Sequence, residues 1–174
     1  MTRSTRRSTP LLRSAARRDV KRIHQLIQQN QQAGRLLPRD LNDLLAHIDR
    51  FLVAVDGRGS IVACGELAPL SHAVAEIRSL VVCEKRRGQG LGRRIVEELR
   101  FRAKAAHYDD LCVFAHEPAY FAQMGFSIVP HTWLPEKISA DCRTCPLFRR
   151  CDQFAMVADL DVVAETGAGA HLHV

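Results

Sequence analysis

Chemistry is concentrated first in the segment Arg87-Gly88-Gln89-Gly90-Leu91-Gly92, which follows Lys85 and Arg86 and separates a Val- and Leu-rich run from a run with helical spacing. A glycine-rich turn between a strand and a helix aims several main-chain N–H groups at one point, and the helix dipole adds positive potential there. Glycine lets the backbone approach a phosphate closely, and the neighbouring Lys85, Arg86 and Arg87 can neutralise it. The bland alternative is a glycine-rich turn carrying solvated arginines. No Gly-Lys-Ser/Thr ends the segment, so it is not a P-loop. It also lacks the Gly-x-Gly-x-x-Gly spacing and ribose-binding acid of a dinucleotide site.

Upstream, Glu76 and Arg78 stand two residues apart in an apolar run, so in a regular strand both side chains face the same way. A carboxylate there can deprotonate an amine, directly or through water, and an arginine can grip a carboxylate bidentately. An ordinary Glu76–Arg78 ion pair is the alternative. Further along, Cys142-x-x-Cys145 and Cys151 offer three thiolates. A structural zinc site wants four ligands; His131 can complete the set, but reduced cysteines packed in a loop are the favoured reading and no metal is assigned. Cys64, Cys83 and Cys112 lie in apolar strand contexts as small core residues. His116 follows a short apolar run and reads as structural or pocket-lining.

These groups need a scaffold, and the periodicity supplies one. Residues 11–15 read as a strand, and Val20, Ile23 and Ile27 recur at helical spacing to about Gln31, with Asp19 favouring the helix start. Gly34 to Pro38 breaks that helix, and Leu41, Leu44, Leu45 and Ile48 mark a second, started by Pro38 and Asp40. Residues 51–55 and 61–65 flank Asp56-Gly57-Arg58-Gly59 as a hairpin. A strand over 75–83 leads into the glycine-rich segment, and Leu91, Ile95 and Leu99 carry a helix to about Ala106. Short strands over 111–114 and 126–129 flank a short helix over 118–123, with Gly125 as its C-cap. Residues 154–160 form a last strand.

The order of elements is mixed α/β (α+β), and 174 residues suit one domain. Residues 1–10 read as a disordered basic leader, 11–161 as the folded domain and 162–174 as a flexible tail. A hydrophobic share of 47% and a charged share of 25% are those of a globular protein, and no apolar run approaches the roughly 20 residues of a membrane span. Much of the net charge of +6 comes from Arg3, Arg6, Arg7, Arg13, Arg17 and Arg18. Without aromatic stacking platforms or a recognition-helix pattern, nucleic acid is a weak rival. The leader lacks the apolar core of a secretory signal, so reduced thiols and a cytoplasmic location are expected, without disulfides.

The run from Val81 to Gly92 resembles the acetyl-CoA signature of GNAT acetyltransferases, Gln/Arg-x-x-Gly-x-Gly/Ala after a strand, with Arg87, Gly90 and Gly92 at the defined positions. Tyr120-Phe121-Ala122-Gln123-Met124-Gly125-Phe126 resembles the family's late helix-to-strand segment. The resemblance implies the GNAT fold, a mixed central sheet of about six to seven strands with about four helices. Acetyl-CoA is then the co-substrate, met by Leu80, Val81, Val82, Arg87, Gly88, Gln89, Gly90, Leu91 and Gly92, and no metal is required. By the same resemblance, the strand from Glu76 to Val82 is expected to splay from its neighbour, with main-chain donors near Leu80 and Val82 to stabilise the developing oxyanion. Many members place a tyrosine four residues before the glycine of the late Gly-Phe pair to protonate the coenzyme A thiolate. Here that position is Phe121. Tyr120 lies one residue earlier, about 100° around a helix, and either serves as the acid or is structural.

Within the family the chain is most similar to short, single-domain N-acetylglutamate synthases, on Leu36-Leu37-Pro38-Arg39, residues 75–82, Pro135-Glu136-Lys137, Asp141-Cys142-Arg143-Thr144-Cys145-Pro146 and residues 151–156. The implied reaction is acetyl transfer from acetyl-CoA to the α-amine of L-glutamate. Arg39, Arg78 and Lys137 are then the substrate cations and Glu76 the base; a solvated Arg39 is the alternative. Another small amine or a protein N-terminus is the rival acceptor, although a polyamine would want an acidic pocket. A homodimer is compatible with the resemblance.

Overall fold

The structure, a computed structural model, describes residues 9–31 and 38–161. The expected leader up to Ser8, the tail over 162–174, the break at Gly34 and the Leu36-Leu37 pair therefore lie outside the described residues. Pro10, assigned to the leader, is buried, and its carbonyl accepts from Arg94 Nη1 at 3.0 Å.

The first two helices cover the sheet, and a short acidic side chain fixes the start of each. Helix α1, Val20–Gln31, buries Val20, Ile23, Leu26 and Ile27. Asp19 holds its entry by accepting from the Ala16 N–H at 2.8 Å and from Arg13 at 2.6 and 3.0 Å. Asp40 caps α2, Leu41–Ala46, through the N–H groups of Asn42 and Asp43. The expected second helix stops there, and Ile48 belongs to a separate 3-10 turn, Ile48–Arg50. Helix α3, Leu91–Ala105, buries Leu91, Ile95, Val96, Leu99 and Ala103, one stripe at a 3.6-residue period. Two short helices follow, α4 at Pro118–Ala122 and α5 at Pro135–Ala140, each with proline in its first turn. The second was not expected: it buries none of its residues, so no apolar stripe marks it. No helix among the described residues is long and apolar enough to cross a membrane.

Among the described residues seven strands form one sheet: β1 Leu11–Ser14, β2 Phe51–Val55, β3 Ile61–Pro69, β4 Val74–Val82, β5 Asp110–Ala115, β6 Ser127–Val129 and β7 Phe154–Asp159. Their spatial order is β1-β2-β3-β4-β5-β7-β6. Only β4 and β5 run parallel, joined by α3 as the crossover; the other pairs are antiparallel. Among the described residues this makes a seven-stranded mixed sheet with five α-helices, close to the architecture that the sequence resemblance implies.

One face packs under α3 and α4 through Ala75, Ile77, Leu111 and Val113. On β3, a Cβ built on Gly65 would sit 2.8 Å from Ile95 Cγ2 and 3.2 Å from Leu99 Cδ1, so glycine there sets how closely α3 lies. The opposite face packs α1 and α2 against Phe51, Val53, Cys64 and Val81, and further along it Leu134 meets Val74, Cys112 and Ala155.

A bulge in β4 shapes the centre of the sheet. Cys64 pairs with Val81 and Glu66 with Arg78, so β4 advances three residues where β3 advances two. Ser79 takes φ +50 at this point, an uncommon conformation for a side chain other than glycine. The extra residue shifts the alternation: Ala75 and Ile77 before it, then Leu80 and Val82 after it, join the α3 cluster. Glu76, Arg78, Ser79 and Val81 are left to the other face. β4 and β5 pair only over residues 74–77 and 110–113; Phe114 and Ala115 go on to pair with β7. The split therefore opens at Arg78, two residues past the expected start at Glu76, where the approaching bulge turns β4 away.

Candidate active site

The split and the glycine-rich loop meet at the start of α3. After β4 the chain makes a 3-10 turn, Glu84–Arg86, and then uses positive φ at Gly88 (+71) and Gly90 (+75). A Cβ at either glycine would meet nothing within 4 Å, so the backbone angle, rather than crowding by protein, selects glycine, and the space above the loop is open. Gly90 caps α3, whose first turn carries no acidic residue and no side-chain cap. The first N–H groups and the helix dipole thus stay unopposed, the electrostatics that a pyrophosphate requires. Leu91 is buried and anchors the loop to the core, while Gln89 donates to the Lys85 carbonyl at 3.3 Å. Arg87 folds back: Nη2 donates to Asn30 Oδ1 at 2.8 Å and Nε to the Val82 carbonyl at 3.3 Å. Its side chain braces the loop against α1 and the end of β4. Arg86 lies 3.7 Å from Asp56.

Along the split, Leu80 and Val82 are half-buried on the α3 face and Val81 is buried on the α1 face. Over residues 78–82 the edge of β4 has no ladder partner in β5. Tyr120 reaches this region, for a Cβ on Gly92 would collide with its hydroxyl. Burial raises its pKa above that of an ordinary phenol, so it holds its proton at neutral pH. Phe121 instead is buried, edge-on to Tyr120 at 5.1 Å and to Phe126 at 5.6 Å. The one-residue step around α4 thus sends Phe121 into the core and Tyr120 towards the loop.

Two of the three expected cations meet at Glu76. Glu76 is 3% exposed and accepts from Arg78 Nε at 2.6 Å and from Lys137 Nζ at 2.7 and 2.8 Å. Asp141 closes the group, its Oδ2 accepting from Arg78 Nη2 at 2.5 Å and from Lys137 Nζ at 2.8 Å. The Lys137 ammonium also lies 5.1 Å from the centre of the Phe114 ring. Arg39 forms a second group beside the bulge: Nη1 donates to Glu66 at 2.8 Å and to Ser79 Oγ at 3.2 Å, and Nε and Nη2 donate to Asp43 at 3.0 and 2.7 Å. His47 also lies 3.1 Å from Asp43. Arg39 is thus paired with carboxylates rather than solvated.

Burial opposes the charge on Arg39 and Arg78, but their carboxylate partners outweigh it and raise both pKa values. Burial pushes the Asp141 carboxyl up, yet Lys137 and Arg78 bring it below the usual range. All members are therefore charged at neutral pH where a shift is resolved. The carboxylates Glu66, Asp43 and Asp141 were not singled out from the sequence. Glu66 carried one signal, a charged residue inside the apolar strand Ile61–Pro69, and Asp141 another, its position four residues after Lys137.

The thiols stand apart from this chemistry. Burial raises Cys64 to about 12 and Cys112 still higher, so neither is a nucleophile. Cys142 and Cys145 are partly exposed and Cys151 is exposed, none in a disulfide. Among the described residues no group of three His, Cys, Asp or Glu side chains is arranged to hold a metal ion. His131, the fourth ligand considered for that cluster, instead bonds the Gln153 carbonyl at 2.9 Å, and His116 lies 3.3 Å from Asp152.

Comparison with known proteins agrees with this architecture. Residues 47–128 match the acetyltransferase (GNAT) domain. An uncharacterised N-acetyltransferase of Chlorobaculum tepidum is 32% identical over 149 residues, covering 86% of this chain and 96% of the relative. An amino-acid acetyltransferase of Mycobacterium tuberculosis is 33% identical over 135 residues, 76% of each chain. Among solved structures, Mycobacterium tuberculosis Rv2747 in complex with CoA and NLQ superposes with a TM-score of 0.74 at 25% identity, covering 86% of this chain and 99% of that one. The N-acetylglutamate synthase of Neisseria gonorrhoeae, complexed with coenzyme A and N-acetyl-glutamate, gives 0.79 at 24% identity over 88% of this chain and 35% of that one, and shares the fold. With an open amide-lined loop at the start of α3, a parted β4–β5 pair and relatives matched over most of their length, the chain belongs to the GNAT acetyltransferase family and is an acetyl-CoA-dependent N-acetyltransferase.

Proposed function

We propose that the acceptor is an amino acid, L-glutamate first, and that its α-amine receives the acetyl group. The observation that carries this is the buried Glu76 flanked by Arg78 and Lys137 on the face of β4 next to the split. A carboxylate among cations suits a zwitterion, whose ammonium needs a base and whose carboxylates need donors. The relative named amino-acid acetyltransferase supports the same class.

In this reading Glu76 takes a proton from the acceptor ammonium, and Arg78, Lys137 and Arg39 hold its carboxylates. As the nitrogen–carbon bond forms and the carbon–sulfur bond breaks, main-chain N–H groups at Leu80 and Val82 stabilise charge on the acyl oxygen. Tyr120 supplies the proton that the departing sulfur needs, and the second proton shed by the acylated nitrogen restores the phenol through solvent. Residues 87–92 hold the pyrophosphate through main-chain N–H groups.

The test is thiol release from acetyl-CoA across a panel of amino acids, polyamines and peptide N-termini. L-Glutamate is expected to be turned over, and Arg78→Ala to raise its KM far more than that of acetyl-CoA. Equal rates with amines lacking any carboxylate would remove the amino-acid assignment. One observation favours a second reading, an acceptor with an uncharged side chain: Arg39, Arg78 and Lys137 already have carboxylate partners.

A further inference from the structure

The charge around Glu76 balances without any ligand. Arg78 and Lys137 carry two positive charges, and Glu76 and Asp141 carry two negative ones. The two carboxylates differ in how they are held. The Glu76 side chain is 4% exposed and lies within the sheet, whereas that of Asp141 is 39% exposed. The Asp141 backbone is fixed at the end of α5, its N–H donating to the Lys137 carbonyl at 3.0 Å and its carbonyl accepting from Thr144 Oγ1 at 3.2 Å. Its carboxylate, by contrast, bonds only Arg78 and Lys137 among the described residues. A side-chain rotation alone can therefore withdraw it, with no change in the fold.

One Asp141 oxygen bridges two cationic donors, the arrangement that a carboxylate of the acceptor would itself use. We propose that Asp141 is a specificity-determining residue of the acceptor site, its carboxylate filling the anion place on Arg78 and Lys137 and working against an acceptor side chain that ends in a second carboxylate. Such an acceptor must displace Asp141 and bring an equal charge. A carboxamide side chain adds no charge, and its oxygen can accept from Arg78 Nη1, which makes no hydrogen bond among the described residues. The residue thus sets the balance between glutamate-like and glutamine-like acceptors. This inference rests on the amino-acid reading given above.

The experiment compares kcat/KM for L-glutamate and L-glutamine in the unaltered protein, Asp141→Asn and Asp141→Glu, with acetyl-CoA saturating. Asp141→Asn keeps the shape and removes the competing charge, and is expected to raise the glutamate-to-glutamine ratio about tenfold or more, the scale of one charge-assisted hydrogen bond. Asp141→Glu keeps the charge and is expected to hold the ratio within about threefold of the starting value. Should Asp141→Asn fold poorly, Asp141→Ser makes the same comparison, and acetyl-CoA affinity reports whether each variant is intact. An unchanged ratio in both neutral variants overturns the role of Asp141 while leaving the amino-acid reading in place. If the unaltered protein uses another amino acid but neither of these, this inference fails alone; if it uses no amino acid, the amino-acid reading fails and this inference with it.

Discussion

Replacing Glu76 by glutamine separates the two jobs that its position allows. The side chain is almost fully buried and takes three hydrogen bonds from two cations. Glutamine keeps the size and one acceptor oxygen but removes the charge, leaving Arg78 and Lys137 close together with Asp141 as their remaining counter-charge. Breaking a buried pair by removing one partner costs about 3–5 kcal/mol. Asp141 stays on both cations and is itself half-exposed, so the lower end, about 3 kcal/mol, is expected. For a domain of this length 1 kcal/mol moves Tm by about 2–4 °C, which gives a fall of roughly 6–12 °C. If Glu76 is also the base, kcat falls by about 10²–10⁴-fold, and acetyl-CoA affinity is retained because the glycine-rich loop is untouched. Thermal unfolding followed by circular dichroism, initial rates of thiol release and calorimetric titration with acetyl-CoA give the three readings. A lowered Tm with kcat held within about threefold would reduce Glu76 to a brace and end its role as base. A Tm within about 2 °C of the starting protein would refute the electrostatic reasoning itself.

Gly65→Ala introduces a methyl group against the buried side chains of Ile95 and Leu99, and a loss of about 1–3 kcal/mol is expected; an unchanged denaturation midpoint in urea would show that α3 can move outward freely. Gly90→Ala meets no steric obstacle but forces alanine to φ +75, a strain of roughly 1–2 kcal/mol at the start of α3, so calorimetry is expected to show acetyl-CoA binding weakened about tenfold, and equal affinity would sink the loop assignment. The Arg13 guanidinium first, with the Ala16 N–H, holds the Asp19 carboxyl below the ordinary range against the opposing effect of burial. A depressed folded pKa stabilises the protein above the unfolded value of about 3.9, and that stability is lost as pH falls through the folded pKa. The Tm gap between the protein and Asp19→Asn is therefore expected at neutral pH and should close below about pH 4; a gap of constant size down to pH 2 contradicts the ion pair.

The parts of this fold that were legible in the chain are those whose cause is local. Leu91, Ile95 and Leu99 bury one stripe of α3 because their spacing follows the helix period, and Asp56-Gly57-Arg58-Gly59 joins β2 to β3 because Gly59 accepts the positive φ of the turn. Glu76 and Arg78 share a face because both precede the bulge. The bulge itself left no mark: a serine at φ +50 looks like any strand serine, and only pairing with β3 reveals the extra residue. Its effect is chemical as well as geometric. By shifting the alternation it places Ser79 on the same face as Arg78, where Ser79 Oγ and Glu66 together receive Arg39.

The ion pairs were hidden for a different reason. Lys137 lies 61 residues from Glu76, and Asp141 lies 63 from Arg78, so no local pattern connects them. A chain read alone shows Arg39, Arg78 and Lys137 as cations waiting for an anionic acceptor. In the folded protein each already has a carboxylate partner. An acceptor carboxylate gains only the difference between its own bonds to Arg78 and those of Asp141, which is a small quantity set by one half-exposed aspartate. On the proposed reading, acceptor choice is therefore governed less by how many cations surround β4 than by how easily Asp141 gives way.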